Sequence, residues 1–407
     1  MKPMLKPEEI RSAQFIDTFF PVIDGVVQTV HNYALNMNQR SYSCVVCPKG
    51  KEDYDDSQLG YDVFREISVS FPKVEYSIAA PLDPIVLKEL KSRGCNIFHA
   101  HSPFNSGVQA SMLAHYLEIP IVATFHSKYW NDAYQYTHST LAADLMAKWV
   151  VNFYNTCDAV WACSEGTAET LRGYGYQGEI TVMTNGTSFK APQNPEELRA
   201  RAQKEFQLPQ GKNTLLFVGH QIWQKNLKLV LDTFRLLCNE SDDYRMVIVG
   251  KGIAETEVKD YAASLGLTGE QIVFTGGISD RDLLSGVFLN ADLFFFPSVY
   301  DNTPLVVREA AAVGVPSLLT KGSNAAESVS PGVNGFVAEE NAEAMRDEVK
   351  RIFAQPGYVK AIGQKAKETI PIPWENLIPR VYDQYAQIID RKQFEIKSGK
   401  HKILPLK

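Results

Sequence analysis

The sequence predicts an α/β protein built from two doubly wound, Rossmann-like domains. Three observations carry this. Short apolar runs alternate with amphipathic stretches of helical length, as in a parallel sheet covered on both faces. A polar stretch rich in Pro, Gln, Glu and Lys at 191–212, ending in Pro209-Gln210-Gly211, interrupts the alternation and reads as an interdomain connection with a short polar helix. The pattern then begins again, and 407 residues suffice for two cores.

In the first half the runs at 43–47, 96–99, 119–125, 159–162 and 180–183 read as strands, and 83–91, 106–117 and 140–153 as helices. The second half repeats the scheme. Strands are predicted at 214–218, 245–249, 272–275, 292–296 and 317–319, and helices at 226–238, 255–265, 280–288 and 305–313. A helix is predicted at 374–391, before a charged, loose tail from Lys397. The resulting division is an N-terminal domain at 1–195, a second at 210–372, and a C-terminal helix at 373–407 returning to the first.

Composition narrows the function. Apolar residues make up 45% and charged residues 22%, an ordinary soluble balance, and the net charge of −6 argues against a nucleic-acid partner. No apolar run is long enough to span a bilayer, and no signal-peptide core follows the first residues, so a cytoplasmic location is expected. Six scattered cysteines suggest no disulfide framework. Cys44 and Cys47 form a single C-x-x-C without a second pair, which reads as reduced thiols in a strand rather than zinc ligands.

In open parallel sheets ligands bind beyond the carboxyl ends of the strands, so the loops that follow strands are the places to look. The segment from Phe294 reads Phe-Phe-Phe-Pro-Ser-Val-Tyr-Asp-Asn-Thr-Pro-Leu-Val-Val-Arg-Glu. Thr303 suits an N-cap and Pro304 a first helical position, leaving the amides near Leu305 and Val306 to face a phosphate. Asp301 and Glu309 flank this point, Glu309 being roughly 7–8 Å along the axis from Pro304. That spacing matches the hexose, diphosphate and ribose of a nucleotide sugar; solvated helix-start acids are the plainer reading.

After Val218-Gly219, His220 precedes Lys225, whose ammonium can hold a diphosphate as a point charge. His99, His101 and His126 follow or end apolar strands without helical H-x-x-x-H spacing or a partnering carboxylate, so they read as hydrogen-bonding groups. In the first loop Gly25 permits close backbone approach and Asp24 reads as a helix cap. Asp53 and Asp55 read as a solvated loop. Neither a G-x-x-x-x-G-K-[ST] loop nor a G-x-G-x-x-G after the first strand is present.

In order, these segments resemble glycosyltransferase family four. They are the Gly25 loop, His99-Ala100-His101-Ser102-Pro103-Phe104, Thr124-Phe125-His126, Asn185-Gly186, Val218-Gly219 with Lys225-Asn226, Val249-Gly250-Lys251-Gly252, Phe274-Thr275-Gly276, Pro297-Ser298 and Glu309-Ala310. The first loop and the His-Ser-Pro-Phe segment are most similar to its diacylglycerol glucosyltransferase-like branch. The resemblance implies a GT-B fold, with two Rossmann-like domains facing a central cleft, and a retaining hexosyltransferase.

It also implies site roles. Glu309 holds the donor ribose, Asp301 faces the hexose as the first acid of E-x7-E, Lys225 binds the diphosphate, and His126 lies near the reaction centre. Gly25 approaches the diphosphate, and the backbone near Ile278 meets the base. Catalytic roles thus fall to His126, Asp301 and Lys225. Donor binding falls to Gly25, His220, Lys225, Ile278, Asp301, Thr303, Leu305, Val306 and Glu309. The donor implied first is UDP-glucose, with no cofactor or metal, and the acceptor is a lipid, glycan or small molecule. A lipid acceptor implies peripheral contact with the inner face of the membrane.

This chain departs from the family pattern in four places. Asp301 replaces a glutamate, His220 an arginine and Pro304 a glycine, and Asp24 stands beside Gly25. If His220 stands in for the arginine, donor affinity weakens as pH rises through the histidine range. The departures at Asp301, His220 and Pro304 keep open a catalytically weak nucleotide-sugar-binding or partner subunit, and a sugar-nucleotide epimerase of the same fold is a second alternative.

Overall fold

The computed structural model describes residues 5–51, 53–70, 77–79, 83–190, 192–208 and 211–399. Expectations for 1–4, 191, 209–210 and the tail beyond 399 lie outside them. The chain forms two compact units, Met1–Gly186 with Pro373–Lys407, and Thr187–Ile372.

The first unit runs β1 (Arg11–Phe15), α1 (Gly25–Met37), β2 (Tyr42–Pro48), β3 (Val63–Glu66), β4 (Ser68–Ser70), β5 (Ser77–Ala79), α2 (Pro84–Ser92), β6 (Ile97–Ala100), α3 (Asn105–Leu117), β7 (Ile121–Phe125), α4 (Tyr129–Thr137), α5 (Thr140–Tyr154), β8 (Ala159–Ala162), α6 (Glu165–Gly173) and β9 (Ile180–Val182). Seven strands form a parallel sheet in the order β3-β2-β1-β6-β7-β8-β9. Alternation along β2 sends Cys44 and Val46 into one core and Val45 and Cys47 into another on the opposite face. Cys44 and Cys47 therefore point away from each other, and both are free thiols.

The second unit runs α7 (Pro195–Phe206), β10 (Asn213–Val218), α8 (Leu227–Glu240), β11 (Tyr244–Val249), α9 (Glu255–Ser264), β12 (Ile272–Gly276), α10 (Arg281–Leu289), β13 (Leu293–Phe296), α11 (Leu305–Ala312), β14 (Ser317–Thr320), β15 (Phe336–Ala338), α12 (Ala342–Phe353) and α13 (Tyr358–Thr369). Its six-stranded parallel sheet has the order β12-β11-β10-β13-β14-β15. Counted within the unit this is 3-2-1-4-5-6, the Rossmann order. Leu215, Phe217, Phe294 and Phe296 are fully buried, as strands covered on both faces require.

The short polar helix expected in the connecting stretch is present as α7, but it belongs to the second unit rather than to a linker. α7 packs along α10, with Ala202 buried. A Cβ at Gly286 would lie 2.2 Å from Leu198 O and 3.0 Å from Ala202 Cβ, so small residues set the close crossing. A helix that buries one alanine gives almost no apolar periodicity, which is why it reads as part of a connection rather than of a domain.

The last helix, α14 (Trp374–Lys397), belongs to the first unit. Its buried residues Leu377, Val381, Tyr385 and Ile388 recur at helical spacing, and it packs on α1. Among the described residues no helix is long and apolar enough to cross a membrane.

Candidate functional site

In the second unit the strand order reverses between β10 and β13, the switch point beyond which open α/β sheets bind their ligands. Lys225 ends a short turn after β10. The next residue, Asn226, takes a left-handed conformation (φ 63°). Its Nδ2 donates to Pro297 O at 3.1 Å and to Glu340 Oε1 at 2.8 Å, which fastens the Lys225 loop to the end of β13.

Lys225 Nζ then meets Asp301 Oδ1 at 2.6 Å, with both side chains largely buried, and lies 5.3 Å from the Phe296 ring centroid. Ser298 Oγ donates to Asp301 Oδ2 at 2.6 Å. The carboxylate is thus held at both oxygens.

The neighbouring loops are stitched by backbone. Gly219 N donates to Val249 O, Gly250 N to Gly276 O, and Gln221 N to Lys251 O at 2.9–3.0 Å. Buried Gln221 adds a side-chain donor to Gly250 O at 2.8 Å. The approach demands glycine: Gly250 has φ 137°, and a Cβ there would stand 1.9 Å from Gly219 O. His220 is exposed on this frame, and Ile278 is half-buried against the core after Gly276-Gly277.

Thr303 is not the cap of α11. Pro304, at φ −66° and ψ 122°, occupies the N-cap position with no side-chain capping bond, and Leu305 is the first helical residue. A proline has no N–H and takes extended backbone here as readily as the first helical position. The Thr303 hydroxyl is buried with no hydrogen-bond partner among the described residues. The amides of Leu305 and Val306 open a helix start that no side chain caps.

Glu309 is buried on α11 rather than solvated, and its Oε1 receives Arg281 Nη2 at 2.6 Å. The guanidinium carbon lies 4.8 Å from the centroid of the Phe189 ring. Lys225 and Asp301 are thus brought into contact, whereas Glu309 is engaged by a residue that sequence reasoning missed. Arg281 is the first residue of an ordinary amphipathic helix, with no local signal; only the fold aims it at Glu309.

The first unit holds the remaining candidates. Gly25 begins α1, and a Cβ added there would meet nothing within 4 Å. Asp24 Oδ1 caps the helix by accepting from Val26 N and Val27 N at 2.8 Å. The histidines form a buried hydrogen-bonded layer. His99 Nδ1 meets Tyr385 Oη at 2.6 Å, and its Nε2 meets Thr124 Oγ1 at 2.7 Å.

Gln14 Nε2 donates to Ser12 and Ser43 hydroxyls, so its Oε1 accepts from His101 Nε2–H at 2.9 Å. A neutral His101 must then accept at Nδ1 from His126 Nε2–H, at 3.1 Å. His126 Nδ1 in turn accepts from the Cys163 thiol at 3.3 Å. Burial pushes all three imidazoles down, His126 to about 3, so the neutral relay persists at neutral pH. Asp53 and Asp55 are exposed, the latter capping a short turn. Among the described residues no group of three or more His, Cys, Asp or Glu side chains is placed to hold a metal ion.

Comparison with known proteins covers both units. The family model described as Glycosyltransferase Family 4 matches residues 23–189, and that described as Glycosyl transferases group 1 matches 199–369. A GDP-mannose-dependent alpha-mannosyltransferase of Corynebacterium glutamicum is 22% identical over 94% of this chain and 90% of its own. The alpha-monoglucosyldiacylglycerol synthase of Streptococcus pneumoniae is 24% identical over 75% of this chain and 70% of its own.

Among solved structures, Anabaena HepE in complex with UDP and glucose superposes with a TM-score of 0.73 at 16% identity, covering 92% of this chain and 99% of its own. Sucrose-phosphate synthase of Thermosynechococcus elongatus gives 0.73 at 18% identity, over 94% of this chain and 100% of its own. These neighbours share the GT-B fold.

Proposed function

Because the chain belongs to glycosyltransferase family four, we propose that it is a retaining hexosyltransferase that moves glucose from UDP-glucose to an acceptor hydroxyl on a lipid or glycan. The observation that carries this is the contact of Lys225, in the loop from β10 to α8, with Asp301, in the loop from β13 to the uncapped start of α11. A diphosphate carries the charge that such a lysine and such amides attract. UDP-glucose is preferred because the pneumococcal relative is named as a glucosyldiacylglycerol synthase; the corynebacterial relative is named as GDP-mannose-dependent, so GDP-mannose is the rival donor.

In this reading Lys225 and the amides of Leu305 and Val306 stabilise the departing diphosphate. Asp301 orients the hexose and Glu309 the ribose, while His220, Thr303, Gly25 and the Ile278 backbone complete the donor site. The departing phosphate takes the acceptor proton on the same face, so no glycosidase-like pair of carboxylates and no metal is needed. His126 sits near the hexose, its ring fixed by His101 and Cys163. The protein acts in the cytoplasm, with peripheral membrane contact where the acceptor is a lipid.

The test is a panel of UDP- and GDP-sugars incubated with wild type and Glu309→Ala, reading nucleoside diphosphate release. Release from one donor, lost in the variant, supports the transferase and names the donor. No release from any donor, with lipid and glycan acceptors present, sinks it. One observation favours a second reading, a donor-binding subunit without turnover: Lys225 and Glu309 are both already paired within the protein. Binding of a nucleotide sugar without release or transfer would identify it.

A further inference from the structure

We propose that Arg281 is a ribose-reading residue, sharing the sugar diol of the donor nucleotide with Glu309. The inference rests on the donor-site reading above and goes beyond it in residue and in chemistry.

Three observations lead there. Glu309 has one carboxylate oxygen occupied: Oε1 takes Arg281 Nη2 at 2.6 Å, and no protein donor reaches Oε2 among the described residues. Arg281 is held from two sides, its edge at Glu309 and its face over the Phe189 ring at 4.8 Å. Phe189 is itself buried, packed edge-on to Phe288 at 5.6 Å. The preceding residue fixes the backbone, since Asp280 caps α10 through Asp282 N and Leu283 N and pairs with Arg201 of α7 at 2.6 Å. The guanidinium is nevertheless about half exposed, its side chain at 48%, so its remaining N–H groups are open to a ligand.

A lone carboxylate that holds a vicinal diol uses both oxygens, each accepting one hydroxyl proton. Here Oε1 already accepts from Arg281. The complementary arrangement for a cis-diol is then mixed: one hydroxyl donates to Glu309 Oε2, and the oxygen of the other accepts an N–H from Arg281. The ligand class is a ribonucleoside diphosphate. The pairing also sets the Glu309 rotamer before the nucleotide arrives, which lowers the ordering cost of binding.

The experiment measures binding of UDP, GDP and the 2′- and 3′-deoxy forms of whichever binds, by calorimetry, to wild type, Arg281→Met and Arg281→Lys. Arg281→Met keeps an apolar stem over Phe189 and removes the donors. The expected result is a roughly 10- to 150-fold weaker ribonucleotide in Arg281→Met, the range for loss of a charge-assisted hydrogen bond. One deoxy analogue, lacking the hydroxyl that Arg281 reads, should bind wild type and Arg281→Met alike. Arg281→Lys should restore affinity in part.

Equal ribonucleotide affinity in wild type and Arg281→Met overturns the proposal, as does a deoxy penalty that survives unchanged in the variant. A wild type that binds neither UDP nor GDP removes the donor-site reading and this inference with it. An unchanged melting temperature in Arg281→Met separates loss of contact from loss of fold.

Discussion

Lys225 and Asp301 are joined at 2.6 Å, and Ser298 holds the far oxygen of the same carboxylate at the same distance. In the family pattern these two residues serve different parts of the donor, the lysine its diphosphate and the acid its hexose. In this protein they neutralise each other before any donor binds. On the proposed function, a diphosphate entering the site would share Lys225 with Asp301, and its negative charge would approach a carboxylate.

That arrangement gives opposite signs for binding and turnover. Asp301→Asn removes the competing charge while keeping the shape. UDP alone should bind roughly 3- to 10-fold more tightly, the size of one partly screened charge interaction. Transfer from the sugar donor should fall by on the order of a hundredfold, as the hexose loses a charged acceptor. Calorimetry with UDP and product release with the nucleotide sugar separate the two. Weaker UDP binding in the variant would mean that Asp301 does not oppose the diphosphate.

The frame beneath that pair depends on one backbone approach. Gly250 takes φ 137°, and a Cβ there would meet Gly219 O at 1.9 Å. Gly250→Ala should therefore lower stability by about 2–4 kcal/mol, combining backbone strain with a forced separation of the loops after β10 and β11. Denaturant melts check this. A loss under about 0.5 kcal/mol, the range of neutral surface changes, would show that the loops part easily.

Much of this architecture is legible in the sequence, and the reasons for the misses are local. Ten of the thirteen strands of the two parallel sheets show as short apolar runs because parallel strands are buried on both faces, as at Leu293–Phe296; β1, β3 and β15 do not. Ligand sites follow strand ends, which singles out Lys225 and Asp301 but says nothing of their contact. α7 is legible as a short polar helix, but its place in the second unit is not, because it buries Ala202 rather than a stripe of large residues. Thr303 misleads because a Thr-Pro pair has two common readings, and the structure places proline outside the first turn. Arg281 gives no sign because its partner Glu309 comes 28 residues later in the chain and meets it only through the fold.

Glu66 makes the stability of the first unit fall with rising pH. Burial pushes its carboxyl up to about 7, assisted by the charges of Asp83 and Asp17, while the Gln109 amide pulls the other way. Its Oε2 and Gln109 Oε1 both lack partners among the described residues, and a proton on Glu66 supplies a donor where the pair has only acceptors. With the folded value above the usual 4.5, the stabilisation is full below about 4.5 and lost as pH rises through about 7. Glu66→Gln keeps the shape and carries no proton to lose. Relative to wild type it should gain roughly 1–2 kcal/mol between pH 5 and pH 8. Parallel pH profiles for the two proteins would show that the carboxyl is solvated.

The histidine layer works in the opposite direction. His99 and His101 are fully buried and pushed well below the ordinary 6.5, first by burial and then by neighbouring imidazoles. Their neutral forms carry the bonds to Tyr385, Thr124 and Gln14. A depressed folded value gives stability that is present above 6.5 and lost as pH falls below it, because the unfolded chain takes up the protons. Each ring contributes a slope of up to about 1.4 kcal/mol per pH unit in that window. Wild type should therefore lose stability steeply from about pH 6.5 to about pH 5. His101→Gln, which offers Gln14 an amide donor without a titrating group, should lower stability at about pH 7.5 yet flatten the acid limb by about one proton's worth. Denaturant melts at half-unit pH steps read both effects, and an acid limb equally steep in the two proteins would show that the relay does not control it.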